Sequence, residues 1–212
     1  MADLSKADDA DDSRILLGLL EYVGRGGEQS QRRLASELGV ALGLANAYLR
    51  RCVNKGLVKV GQAPARRYAY YLTPRGFAEK SRLTFEFMSH SLSLFRRAKA
   101  DCVAAFDSAR ARGYGRIALL GASDLAEIAA ICALDGGVAV TAVVDDRLRA
   151  ERFAGAPVVS GLEALAPPPD AVLVTDMQNA AAAVQAAVAK FGVDRVLVPA
   201  LLGVQPGEAD GP

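Results

Sequence analysis

The sequence predicts two joined parts of different class. A small helical unit closed by a β-hairpin comes first, and an α/β unit built on a parallel sheet follows. Three observations predict this. Charge is unevenly divided: residues 1–110 carry 18 Lys+Arg against 12 Asp+Glu, and residues 111–212 carry 7 against 12. The hydrophobic period also changes along the chain. Helical spacing gives way to alternation near residue 57, returns near residue 74, and becomes apolar runs separated by helices after residue 115. Gly and Pro mark these changes.

In the first part, Ile15, Leu16, Leu19, Leu20 and Val23 form one broad face of a helix over 14–24. Ser30 is the expected N-cap of a short helix in which Leu34 and Leu38 face inward, and Gly39 ends it. A third helix is expected from Leu42 to Asn54, with Ala45, Leu49, Cys52 and Val53 inward and Lys55-Gly56 at its end. Two helices joined by a tight Gly-containing turn make a helix-turn-helix. Next, LVKV and RYAYYLT read as strands around a GQAPAR turn. The expected fold is a winged helix-turn-helix, in which the third helix enters the DNA major groove. Asn46, Arg50 and Asn54 lie opposite its apolar stripe, with Arg51 and Lys55 alongside. Asn and Arg suit adenine and guanine edges, while Lys59, Arg66 and Arg67 suit phosphates or the minor groove. Residues 31–100 hold 14 Lys+Arg and 3 Asp+Glu, which fits a polyanionic partner.

The first part also carries a resemblance. The SQRRLASELG segment, the LG-x-x-N opening of the third helix, the KGLVK before the wing and YYLTPRGFAEKSRLTFEF after it resemble MarR-type regulators of the exopolysaccharide-associated group. The likeness spans about residues 14–95. It implies a DNA-binding transcriptional regulator, of a kind often encoded near surface-polysaccharide genes, and the expected targets are surface-polysaccharide or nucleotide-sugar genes.

Thr73-Pro74 starts a helix that continues to about Arg110, about 55 Å if unbroken. Met88, Leu92, Phe95, Cys102 and Phe106 form a near-heptad seam along it. The seam either pairs with a second copy or packs back onto the two parts, and a homodimer is expected, since two half-sites need two recognition helices.

The second part alternates strands and helices. Strands are expected at 116–121, 138–146, 157–160, 171–176 and within 193–200. Helices are expected at 124–134 and 178–191. This pattern predicts a small parallel-sheet Rossmann-like domain whose ligand binds beyond the carboxyl ends of the strands. Gly121, Ser123, Asp145, Asp146 and Asp176 sit at those ends and are the candidate ligand residues. The dinucleotide pattern GxGxxG would require Gly at 123 and 126, where the chain has Ser123 and Ala126.

GASDLAEIA, VVDDR and APVVSGLEAL, within residues 116–165, resemble the amino-terminal nucleotide-binding domains of sugar O-acyltransferases and nucleotide-sugar dehydratases. That likeness implies a nucleotide-sugar effector. The order of parts is also similar to that of the NAD(H)-sensing Rex repressors, which makes NAD(H) the alternative effector. A further alternative is a DNA-bound scaffold whose second domain binds a partner protein and no ligand.

The expected boundaries are an acidic disordered tail at 1–12, the winged helix-turn-helix at 13–75, the helical connector at 76–112, the Rossmann-like domain at 113–203 and a flexible tail at 204–212. The lone His90 leaves no nucleophile–base pair, so an enzyme is not expected. Three widely spaced cysteines predict neither a disulfide framework nor a zinc site, and no metal is expected. No uncharged apolar stretch approaches ~18 residues, and the acidic start is unlike a secretory signal, so a cytoplasmic protein that does not contact membranes is expected.

Overall fold

The computed structural model describes residues 2–26, 30–63 and 67–205. The chain divides into two compact units, residues 1–91 and 92–212. The first holds helices α1 (Ala2–Gly24), α2 (Gln31–Leu38) and α3 (Leu42–Asn54), then strands β1 (Val58–Ala63) and β2 (Arg67–Leu72). Helix α4 (Pro74–Ala111) begins in the first unit and ends in the second.

Local signals account for the ends of these helices. Ser30 accepts a hydrogen bond from the Arg33 amide at 3.1 Å, and Gly39 closes α2 at φ 64°. Ala41 stands at the start of α3 and offers no side-chain cap. Strands β1 and β2 pair antiparallel, with Lys59 opposite Tyr71. The core is Leu19, Leu20 and Val23 of α1 against Leu34, Ala45, Leu49, Cys52, Leu57, Val58 and Leu83.

Helix α1 corrects the expected acidic tail, since residues 2–12 are helical. The segment holds neither Gly nor Pro to stop the helix. Asp12 is also held by Arg51 at 3.0 Å and by the Tyr48 hydroxyl. Of the expected C-terminal tail, Val204 packs against the cluster around Val174, and residues 206–212 lie outside the described residues.

Helix α4 starts where Thr73 accepts from the Gly76 amide at 3.0 Å and donates to the Gly56 carbonyl at 2.6 Å. Gly76 then lies so close to the preceding chain that a Cβ would fall 1.9 Å from the Leu57 carbonyl oxygen. The expected seam along α4 divides. Met88, Leu92 and Phe95 are exposed, together with Phe85, whereas Cys102 and Phe106 are buried in the second unit. A helix that serves two cores has no single inward face, so one periodic stripe cannot describe it.

In the second unit the sheet order is β5 (Arg152–Phe153), β6 (Ala156–Val159), β4 (Ala139–Val144), β3 (Arg116–Leu120), β7 (Ala171–Val174) and β8 (Val196–Leu197). All neighbours pair in parallel except β5 with β6, an antiparallel edge that the sequence did not announce. In chain order the parallel strands run third, second, first, fourth, fifth, the order of a doubly wound sheet. Helix α5 (Asp124–Gly136) links β3 to β4, and α6 (Ala180–Phe191) links β7 to β8. These crossovers run in opposite directions along the sheet, so right-handed connections put them on opposite faces. Alternation within β7 serves both faces: Ala171 and Leu173 pack with α5 residues, and Val174 packs with Val184 and Ala187 of α6.

All three cysteines are free and buried. Burial pushes the Cys52 thiol up to about 11 and the Cys102 thiol up to about 12, so both are poor nucleophiles. Among the described residues, no helix is long and apolar enough to cross a membrane.

The Gly76 contact is testable. Gly76→Ala must push the α4 start away from Leu57, and overpacking of this kind costs about 1–3 kcal/mol. Denaturant unfolding should show that loss, and an unchanged midpoint would contradict the close approach.

Candidate functional site

The first candidate surface is built on α3. Asn46, Arg50 and Asn54 lie one helical turn apart and line a hollow of about 250 Å³ with Leu49, Val53, Gln31 and Tyr70. Gln31 opens α2 and donates to the Tyr70 hydroxyl at 3.1 Å. Neither residue was singled out from the sequence, because they stand 39 positions apart and only the fold joins them. The Asn46 Oδ1 atom is buried with no donor among the described residues. Such an atom costs roughly 1–3 kcal/mol, and an incoming donor relieves that cost.

The other expected DNA contacts are distributed differently. Arg51 is not in the hollow and ion-pairs with Asp12 of α1. Lys55 is exposed at the end of α3, and Lys59 is exposed on β1. Arg67 opens β2, and Arg66 lies outside the described residues.

The second candidate surface lies at the carboxyl ends of β3, β4 and β7. Gly121 follows β3 at φ 105°, and a Cβ there would lie 2.6 Å from the Asp176 backbone. The glycine is therefore required by the neighbouring chain, independently of any ligand. Its carbonyl accepts from the buried Thr175 hydroxyl at 2.6 Å. Ser123 donates to the Thr175 carbonyl at 2.7 Å and caps α5 by accepting from the Ala126 amide at 3.3 Å.

The carboxylates are similarly engaged. Asp145 Oδ2 accepts from the Ala122 amide at 3.0 Å, and Oδ1 accepts from the Arg147 and Leu148 amides at 2.9 Å each. Burial raises the Asp145 pKa, but these three amides and the Arg147 charge outweigh it, so the net shift is downward. Asp176 accepts from the Gln178 and Asn179 amides at 2.8 Å each. Arg147 joins the strand ends: it lies 3.7 Å from Asp146, 3.6 Å from Asp176 and 3.2 Å from the Gln178 side-chain oxygen. Sequence reasoning singled out neither Arg147, although it closes the VVDDR segment, nor Thr175, which belongs to no motif.

These residues fit a nucleotide in part. Asp145 Oδ2 keeps a lone pair for a ribose hydroxyl, and Arg147 supplies a cation. Against a phosphate, the Gly121 amide is bonded to the Val144 carbonyl and the Ala122 amide to Asp145. Asp124 adds a carboxylate in the first turn of α5.

Three comparisons bear on the chain. Residues 12–59 match the family described as winged helix-turn-helix DNA-binding. No curated protein sequence matches the chain. Among solved structures, one similar chain is an O-methyltransferase from neocarzinostatin biosynthesis bound to S-adenosyl-L-homocysteine, at 17% identity and TM-score 0.37, over 89% of this chain and 80% of that one. Another is human N-acetylserotonin methyltransferase with S-adenosylmethionine, at 14% identity and TM-score 0.36, over 82% and 68%. A third is a riboflavin-analogue dimethyltransferase from Streptomyces davawensis, at 16% identity and TM-score 0.33, over 87% and 72%.

The expectation that the chain is not an enzyme is corrected by these matches, all of which are methyltransferases. Absence of a His-based nucleophile is no bar to a reaction that needs none. At these TM-scores the matches assign no activity to this chain.

Asp145 gives a pH test. A lowered folded pKa means that its stabilisation is complete above the ordinary value of 3.8 and lost as pH falls through the folded value. Asp145→Asn should lower Tm at neutral pH, and the gap from the parent should narrow below about pH 4. A gap that stays constant with pH would contradict the ionised, amide-bonded state.

The N-terminal unit, through the match at residues 12–59, carries a winged helix-turn-helix of the DNA-binding family, which supports a DNA-binding transcriptional regulator.

Proposed function

We propose that the chain regulates transcription by binding double-stranded DNA as a homodimer, and that its α/β unit senses a small molecule. The observation that carries the DNA reading is the Asn46, Arg50 and Asn54 cluster on α3, inside the matched winged helix-turn-helix. Arg50 and Asn54 read base edges, and Lys55, Lys59, Arg66 and Arg67 neutralise phosphates. Arg51 joins them only by exchanging Asp12 for a phosphate.

The α4 stripe supports the dimer. Phe85, Met88, Leu92 and Phe95 follow one another at spacings of 3, 4 and 3 and are 72%, 55%, 53% and 42% exposed. A second copy of the stripe covers them in coiled-coil fashion.

The α/β unit is read as a Rossmann-like sensor with its ligand beside Gly121, Ser123, Asp145, Asp146 and Asp176. Its effector is a nucleotide-sugar, and the regulated genes make surface polysaccharide. Doubly wound strand order, the α5 N-terminus, and the Asp145 carboxylate with the Arg147 cation at the strand ends support a nucleotide at this place. A ligand moves the DNA equilibrium only if it binds the two states unequally, and Arg147 offers the means. A phosphate that draws Arg147 away frees Asp176 and Gln178, and so loosens the tie between the loops after β4 and β7. The second reading is the DNA-bound scaffold. Its support is the internal bonding of the Gly121 and Ala122 amides, which leaves the loop little to offer a phosphate.

Binding to DNA fragments selected from a random pool tests the first reading. Arg50→Ala should lose about 1–3 kcal/mol and relax base preference at one position, while Lys59→Ala should weaken all sequences and reduce the salt slope by about one. Equal affinity of both variants and the parent would remove α3 and the wing from the interface.

Met88→Glu should yield monomers by sedimentation and lower DNA affinity. A dimeric Met88→Glu would exclude the stripe. For the sensor, UDP- and GDP-sugars at about a hundred times Kd should add about 2.7 kcal/mol to stability. A flat thermal response to these and to NAD(H) favours the scaffold.

A further inference from the structure

The α/β unit leaves one flank of α5 without a helical neighbour. The crossovers from β3 to β4 and from β4 to β6 move the same way along the sheet, so right-handed connections place both on one face. The first crossover is α5. The second, residues 145–151 followed by β5, contains no helix. Beside α5 there is instead a hollow of about 460 Å³. Ile131 and Leu134 wall it on the α5 side, Val138 and Val140 at the sheet, and Ala154 and Ala156 opposite.

Leu134 is 85% exposed and Ile131 54% exposed, three positions apart on one face of α5. Exposed aliphatic side chains at the rim of an apolar groove mark an interaction surface rather than scattered surface residues. The charge carried by α5 is one-sided. Helix α5 carries Asp124, Glu127 and Asp135 and no Lys or Arg, and Glu127 lines the hollow. On the opposite wall the Arg152 guanidinium is already bonded to the Gly155 carbonyl.

We propose that this hollow docks an amphipathic helix of a partner protein, with an apolar stripe flanked by Lys or Arg. A helix fits because the crossover position is one that helices occupy in doubly wound sheets. Its apolar side chains enter between Leu134 and Val140, and its cations meet Glu127 and Asp135. The α5 of a second copy does not suit the place, because it would bring Glu127 and Asp135 against their own kind. The surface stands apart from the Gly121–Asp176 region, so it extends the DNA-binding reading and does not depend on whether a nucleotide binds.

The test uses the full chain and two fluorescent, helix-stabilised peptides of one hydrophobic pattern, one with Lys and one with Glu on the polar face. The Leu/Lys peptide should bind saturably, and at least about tenfold more tightly than the Leu/Glu peptide. Leu134→Ser and Glu127→Lys should each weaken it about tenfold. Both side chains are exposed, so the variants should keep the parent's circular dichroism and unfolding midpoint. No saturable binding, equal affinity for the two peptides, or indifference to both substitutions would overturn the proposal. So would a change of oligomeric state in Leu134→Ser, which would make a second copy the occupant. DNA affinity measured on the same samples separates the two readings: lost peptide binding with intact DNA binding sinks the docking surface alone.

Discussion

The α/β unit depends on one buried hydroxyl. Thr175 is fully buried. Its hydroxyl donates to the Gly121 carbonyl, its amide donates to the Leu120 carbonyl, and its own carbonyl accepts from Ser123. The loop after β3 is thereby tied to the loop after β7, at the point where the strand order reverses. A valine there would match the shape and leave the Gly121 carbonyl unpaired, which is the costly way to change a buried hydrogen bond. The start of α5 and the close packing of Gly121 on Asp176 both follow from this tie.

The polar residues of that edge consequently do structural work first. Ser123 caps a helix, Asp145 gathers three amides, and Asp176 organises the turn into α6. Arg147 is the least committed of the group, since its contacts to Asp146 and Asp176 are long and its side chain is 61% exposed. Whatever reaches this edge meets an exposed cation beside Asp145 and Asp176, carboxylates already bonded to backbone amides. Exchange of partners at Arg147 is therefore the cheap conformational step, and movement of Asp145 the expensive one.

The winged helix-turn-helix was readable because its signals are local. Ser30 and Gly39 frame α2, the apolar stripe of α3 is periodic, and the strand alternation reappears as the β1–β2 register. The α4 seam is less legible. Met88, Leu92 and Phe95 share a spacing with Cys102 and Phe106, yet the first three are exposed and the last two belong to a core. Period reports which residues share a face and is silent on what covers that face. The acidic start has the charge excess of a solvated tail, whereas Asp12 is held by Tyr48 and Arg51, 36 and 39 positions away.

By itself the sequence determined the class and order of the main elements, though not the start of α1 or the edge strand β5, and with them the caps of α2 and α5 and the polar face of α3. These depend on residues within one or two turns of each other, and short-range sterics and capping are the same in any context. Tertiary structure decided the rest. It placed Gln31 and Tyr70 beside Asn46 and drew Arg51 to α1. It also explained Gly76 by Leu57, explained Gly121 by Asp176, and left the flank of α5 open where a crossover carries no helix. Each of these is a meeting of distant segments, set by how whole faces pack, and no local pattern of residue types encodes that outcome.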